Sequence, residues 1–424
     1  MGAPKPADPG EVRELVVAVG IAMLAAGDSV DAVASKLRGI LEAYGLNQSD
    51  VIVLPTVLLV ETGRGPTARV DLGGEVGASM RLDQVTALYA LVEEATAETP
   101  PPPEALDRLV AIRSARPRFA WPVRIVGHAL LTVGLALLLQ PTPTTLVVCF
   151  LLGSVVGAVK IPRLASLQLV IPAVTALVAT GVVLAAAEHF DLQNPIRVLV
   201  PPLVTFLPGG VITIATVELA SGEMVAGASR LVSGVVQLLL LGFGVLAGAT
   251  LVGAPLRVLT DNPVAWVSWW APWLGILVFA LGVYLHFCTP TRAMPWVTLV
   301  LIVAFGGQEL GSAWFGGQLS GFFGALAMTP LVLWFDDLPA GPPKLVTFLP
   351  AFWVLVPGAA GLIGLAEIVG IDTAIGTSAT RTVLVTVMSI ALGVLIGTAL
   401  YRSIDATARH VRRVVAPQGD LPQP

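Results

Sequence analysis

From residue 119 to residue 402 one apolar run follows another with little polar sequence between them, and this feature limits the chain to folds that a lipid bilayer stabilises. A helix crosses about 30 Å of hydrocarbon with some 20 apolar residues, and its backbone groups satisfy one another there. Charged residues make up only 12 % of the chain, against roughly 25 % in soluble domains, too few to cover a soluble surface of this size. The fold class expected is an α-helical polytopic membrane protein with ten transmembrane helices. The segments fall at 121–139, 144–159, 166–187, 196–217, 224–252, 269–289, 295–310, 314–335, 345–369 and 379–402.

Charge placement gives an independent count. Cytoplasmic flanks carry the excess of Lys and Arg. With ten spans, fourteen basic residues lie on the side of both termini, among them Arg118, Arg124, Lys160, Arg230, Arg292, Lys344 and Arg402. Only Arg197, Arg257 and Arg381 fall opposite. An odd number of spans destroys this asymmetry.

Residues 1–118 have ordinary charge frequency and read as a small α+β cytoplasmic domain. Helices are expected at 11–26 and 28–44, with Asp28 and Ser29 suited to the second N-cap and Gly45 to its C′ position. Leu15 to Ala26 is too short to span and reads as a core-facing helix. Asp50 to Thr62 reads as one buried strand and Thr67 to Leu72 as a second, joined through Gly63, Gly65 and Pro66. Helices follow at 83–98 and 104–115. The divisions expected are therefore 1–118, a first five-helix membrane repeat at 119–268, a second at 269–402, and a cytoplasmic tail at 403–424.

The repeat rests on two correspondences. Leu203-Val-Thr-Phe-Leu-Pro208 recurs as Leu345-Val-Thr-Phe-Leu-Pro350. In a different register, Pro208-Gly209 precedes Glu218 as Pro357-Gly358 precedes Glu367. The Pro-Gly register is preferred because it sets both breaks near mid-depth of their spans. Five spans per unit force the two units into opposite orientation, an arrangement that puts a polar site at their interface near the bilayer midplane. A Pro removes a backbone donor and Gly relaxes the helix, exposing groups that hydrocarbon cannot satisfy and a small polar solute can.

Pro208, Gly209, Gly210, Pro357 and Gly358 are thus candidate substrate-binding positions, with Thr205, Thr213 and Thr347 supplying hydroxyls. Thr216 also lies on the broken segment, although a membrane Thr can equally bond back to its own helix. Glu218 and Glu367 are candidates for proton coupling or for meeting an ammonium group, since ionisable groups inside a membrane are expensive. Arg230 reads as a structural partner of Glu218 or Glu223. His128, His189 and His286 show no metal-ligand spacing. Cys149 and Cys288 lie in apolar runs and read as buried thiols. No cofactor is expected. The net charge of −4 and the lack of a basic patch speak against nucleic acid. No Walker-type Gly-rich loop occurs, against a self-contained ATP-driven pump. An intramembrane enzyme such as a protease lacks a nucleophile–base set beyond an isolated Ser320-Gly321, and a passive channel is the other alternative.

Leu207-Pro-Gly-Gly-Val-Ile-Thr-Ile-Ala-Thr-Val-Glu-Leu-Ala-Ser-Gly222, followed by Gly227-Ala-Ser-Arg230, resembles the first membrane half of the threonine/serine exporter family. Phe348-Leu-Pro-Ala-Phe-Trp-Val-Leu-Val-Pro-Gly358 resembles the Pro-rich motif of its second half, and Ala43-Tyr-Gly-Leu46 with the helix start at Asp28 is similar to its N-terminal part. The resemblance implies a fused two-half exporter of small hydroxy amino acids in the bacterial inner membrane, driven by protons, with the bilayer, protons and a small amino acid as partners and a homo-oligomer possible. It points to Pro208, Gly209, Glu218, Gly222, Pro357 and Gly358; members of the family often carry Asp where this chain has Glu218.

Overall fold

A computed structural model describes residues 7–74, 76–139, 142–162, 167, 170–189, 192, 194–254, 269–355 and 373–415. The chain is mostly helical, with one small three-stranded sheet.

The N-terminal elements are α1 (Pro9–Ala26), α2 (Val30–Ala43), β1 (Ser49–Val53), β2 (Leu58–Thr62), β3 (Arg69–Gly73), α3 (Leu82–Ala97) and α4 (Pro102–Ser114). Helix α1 ends on Gly27, whose φ of 92° is the left-handed conformation a Schellman-type stop requires. The Ser29 hydroxyl accepts from the Ala32 N–H and caps α2. Leu15, Val16 and Val19 of α1 and Leu37 and Ile40 of α2 are buried, as expected of a core-facing pair. The stretch expected as one strand from Asp50 to Thr62 is instead a hairpin, β1 pairing antiparallel with β2 and β2 with β3. Pro55 has no N–H for a ladder, and the Leu54 N–H turns to the Val57 carbonyl, closing a turn inside the apolar run. The strand expected at Thr67–Leu72 is β3, displaced because Gly65–Thr67 form a 3-10 turn. Val51, Val53, Leu58 and Val60 face α1 and α2, leaving Ile52, Val70 and Leu72 exposed on the other face.

The remaining helices are α5 (Trp121–Leu138), α6 (Pro143–Val159), α7 (Ile171–His189), α8 (Pro195–Leu203), α9 (Gly209–Ala220), α10 (Met224–Val252), α11 (Ala271–His286), α12 (Met294–Phe315), α13 (Gly317–Asp336), α14 (Lys344–Leu355) and α15 (Thr373–Val415). Among the described residues five helices are long and apolar enough to cross a membrane, and six if α8 and α9 count as one span bent by 60°. Four further apolar helices, Pro143–Val159, Ile171–Ala187, Ala271–His286 and Lys344–Leu355, are shorter.

Small residues set the packing, as is usual where the surroundings are apolar on every side. Helices α5 and α11 cross antiparallel at backbone contact: a methyl on Gly134 would lie 2.4 Å from the Phe279 nitrogen, and one on Gly282 2.2 Å from the Leu131 nitrogen. Helices α7 and α10 run parallel, Gly244 against the Ala173 carbonyl and Gly248 against that of Leu177. Helices α13 and α15 pack in the same way, Gly393 against the Phe322 carbonyl and Gly397 against that of Leu326. Helix α9 packs on α10, α14 and α15.

Candidate functional site

The local sequence brings α9 back on α10. Gly222, with φ of 92°, reverses the chain, and Glu223 N–H bonds back to the Glu218 carbonyl. Gly227, Arg230 and Gly234 share one face of α10, because residues three, four and seven apart do. The two glycines admit α9 to near contact, a methyl on Gly227 falling 2.7 Å from the Ala215 carbonyl and one on Gly234 2.6 Å from Ile212. Arg230 between them is aimed at α9.

It meets Glu218 there. Nε of Arg230 lies 3.2 Å from Oε2 of Glu218, with Glu218 only 2 % exposed. The pair is electrostatic without hydrogen-bond alignment, and both atoms make no hydrogen bond among the described residues. Each group also makes a hydrogen bond to the N-terminal elements. The Val30 N–H, first in α2, donates to Glu218 Oε1 at 3.1 Å, and Arg230 Nη2 donates to the Asp28 carbonyl at 2.7 Å.

The Asp28 side chain extends the cluster. It accepts from the Ser29 N–H at 3.0 Å, from the Tyr89 hydroxyl, and lies 3.5 Å from the Lys344 ammonium. Lys344 is anchored in turn by its own N–H, which donates to Asp336 at 2.8 Å. Burial first, and then the Asp28 carboxylate, push the Tyr89 phenol well above its ordinary value. One buried acid thus joins α2 and α3 to α10 and α14. The Leu82 N–H adds a bond to the Phe287 carbonyl after α11, and Arg118 one to the Thr291 hydroxyl.

The break lies further along the same chain. Residues Val204–Phe206 form a 3-10 turn between α8 and α9, and Pro208 caps α9. Its carbonyls are occupied by protein donors: Lys160 Nζ donates to Thr205 O at 3.3 Å and Gln237 Nε2 to Phe206 O at 2.7 Å. The Lys160 ammonium also sits 4.7 Å over the Phe206 ring. Thr205, a candidate for solute binding, has its hydroxyl 3.1 Å from His128 Nε2. His128 Nδ1 faces the Gly153 carbonyl at 2.9 Å and must carry the proton, so in the neutral ring Nε2 accepts from Thr205. His286 stacks edge-on against it, ring centres 4.8 Å apart.

The other expected positions divide. Pro208 and Gly209 are buried, and a methyl on the half-buried Gly210 would lie 3.9 Å from Phe352 of α14. Gly209, Gly210 and Val211 head α9 with N–H groups that no intrahelical carbonyl reaches. Thr213 is 1 % exposed and its hydroxyl has no hydrogen-bond partner among the described residues. Thr216 bonds back to Ile212 O, and the buried Thr347 to Lys344 O at 3.1 Å. Pro357, Gly358 and Glu367 lie outside the described residues. Cys149 and Cys288 are buried free thiols.

Sequence reasoning passed over Asp28 as a mere cap, His128 as roleless, and Lys160 and Lys344 as charges to be counted. A signal was present for the lysines: they are the only two beyond residue 36 in a chain that otherwise uses Arg.

A family model described as "Putative threonine/serine exporter" matches residues 14–252. No curated protein and no solved structure matches the chain. The matched stretch runs from α1 to the end of α10 and takes in Asp28, the break at Pro208, Glu218 and Arg230; the chain belongs to the threonine/serine exporter family.

Proposed function

We propose that this protein is a secondary transporter that exports threonine and serine from the cytoplasm in exchange for protons, through two oppositely inserted five-helix repeats in the bacterial inner membrane. The carrying observation is the 60° break at Pro208, placed where α9 meets α14 and lined by a buried hydroxyl, that of Thr213, without a partner among the described residues. A buried polar atom left unpaired is costly, and a small hydroxylated solute would satisfy it.

The packing supports the repeat. Gly244 and Gly393, Ala173 and Phe322, and Thr180 and Thr329 are each separated by the interval that separates Pro208 from Pro357 and Glu218 from Glu367. So are the starts of α8 and α14, and Pro201 from Pro350. Two parallel helix pairs, α7 with α10 and α13 with α15, therefore repeat one contact in one register. At α5 and α11 the interval is one residue shorter, and contacts exchange as a two-fold axis requires: Gly134 meets Phe279 as Leu131 meets Gly282. This favours the Pro-Gly register over the hexapeptide; the proposed units keep the boundaries 118, 268 and 402.

Ten spans with both termini in the cytoplasm agree with the contacts of the N-terminal elements. Glu218, Arg230, Phe287, Thr291 and Lys344 all fall at cytoplasmic ends in that arrangement. Exposed Trp121 and Trp334 fall at that interface and Trp269, Trp270 and Trp314 at the opposite one, as aromatic belts do.

The chemistry of exchange follows from Glu218. An ionised Glu218 holds Arg230 or the ammonium of a substrate; a protonated Glu218 holds neither. Proton and ammonium compete for one carboxylate, so loading one expels the other. Arg230, Glu223 and Asp28 are the charges that face this group, and Lys344 pairs with Asp28. Glu367 is proposed as the counterpart in the second repeat. The test is flux of labelled threonine and serine in liposomes under an imposed pH gradient. Uphill movement that collapses with a protonophore is expected, and Glu218→Gln should abolish the coupling. Flux that ignores the gradient would overturn proton exchange.

A further inference from the structure

The pairing of Glu218 with Arg230 leaves a pattern that a structural ion pair does not need. A buried pair holds best when its hydrogen bonds align, since alignment offsets the loss of hydration. Here the facing atoms are 3.2 Å apart and unaligned, Glu218 Oε2 and Arg230 Nε making no hydrogen bond among the described residues. One hydrogen bond from each group goes to the same short piece of backbone. The carboxylate takes the Val30 N–H at 3.1 Å, and the guanidinium gives to the Asp28 carbonyl at 2.7 Å. Only Ser29 stands between those two peptide groups.

We propose that Glu218 and Arg230 form the cytoplasmic docking site for a free α-amino acid, and that Asp28–Val30 fills it here as a built-in substitute. This rests on the export reading and names the ligand class: a zwitterion with a small side chain. Its ammonium goes to Glu218, where Val30 now donates, and its carboxylate to Arg230, where Asp28 now accepts. The backbone piece offers one donor to the acid and one acceptor to the base, on either side of Ser29, the same two roles that the ammonium and carboxylate of an amino acid fill. It carries no net charge at either point, so a charged ligand makes the stronger bonds once it arrives.

The consequence is competition. Docking of the α2 N-terminus and binding of amino acid cannot coexist, so a rising cytoplasmic concentration undocks the N-terminal elements by mass action. Lys344 and Tyr89, both on the Asp28 side chain, set how firmly the segment is held.

Position 30 allows a narrow test. Val30 opens α2, the place where Pro is best tolerated, and Ser29 before it is already extended with ψ of 150°. Val30→Pro removes the N–H given to Glu218; Val30→Ala trims the same buried side chain and keeps that N–H. Binding of L-serine, N-acetyl-serine and serine amide is measured calorimetrically on full-length protein in detergent, with flux in liposomes from the same preparation. V30P should bind L-serine about tenfold more tightly than V30A, the size expected for losing one competing bond to a charged group. Neither blocked serine should bind with comparable affinity. Arg230→Gln should weaken L-serine binding by roughly tenfold or more while leaving the amide, which has no carboxylate, unaffected. That variant decides the matter if V30P does not fold. Equal affinity in V30P and V30A, blocked serines binding as well as free serine, or R230Q indifferent to the carboxylate would each overturn the site. Absence of threonine and serine flux in the parent protein would overturn the export reading instead.

Discussion

Asp28 meets a phenol, an ammonium and the N–H of the Ser29 cap, while its carbonyl takes the guanidinium of Arg230. A hydrogen bond to a charged group is worth about 1.5–3 kcal/mol, so Tyr89→Phe should lower stability by roughly that amount. Melting of the full-length protein in detergent measures it, and hydrogen exchange should rise first in α2. The same phenol predicts a pH response. Burial and Asp28 hold Tyr89 protonated in the folded state beyond its ordinary value of 10.0. The unfolded chain releases that proton above about pH 10, so stability falls as pH rises past that point. In Tyr89→Phe the alkaline loss should shrink, read as a flatter melting temperature against pH. At this scale the sequence was partly legible. Glu218 and Thr213 stand out because a charge or hydroxyl is conspicuous in apolar surroundings. Asp28 does not, since its partners come from elements far along the chain: 188 residues separate Val30 from Glu218.

Among the elements, the broken helix was legible from Pro208-Gly209 alone, because the loss of one donor and one side chain leaves few alternatives. The hairpin β1–β2 was not. An unbroken apolar run reads equally as one strand or two, and only the lack of an N–H at Pro55 decides. Which helix touches which was also hidden, since small residues are frequent throughout and only some meet a backbone. This gives a contrast to measure. Gly134→Val would push its side chain into the Phe279 nitrogen, and overpacking of this kind costs about 1–3 kcal/mol or more. Gly181→Ala meets nothing nearer than Val252 at 3.7 Å and should be neutral or stabilising by up to about 1 kcal/mol. Thermal unfolding of the two variants side by side should separate them; equal melting would contradict the α5–α11 contact.

For the whole molecule, the expected ten spans came from the apolar runs with charge placement as a check, and the proposed pairing of halves from two short correspondences, signals that survive without knowing any contact. The placement of the N-terminal elements against both halves had no such signal. Topology can be read directly, because both native thiols are buried and background labelling should be low. Exposed Ser221, Ser312 and Ser403 are suited to replacement by cysteine. In intact cells an impermeant maleimide should modify S312C and spare S221C and S403C; labelling of either of the latter would reverse or break the ten-span order. The shared acid then acquires a mechanical meaning. Arg230 tethers residue 28 to one half and Lys344 tethers it to the other. In the proposed transport cycle the two halves would rock apart at the cytoplasmic face, and because a single residue cannot follow both, at least one tether would break. On that reading, opening and release of the N-terminal elements would be one event, and no inward-facing state would form while that knot is tied.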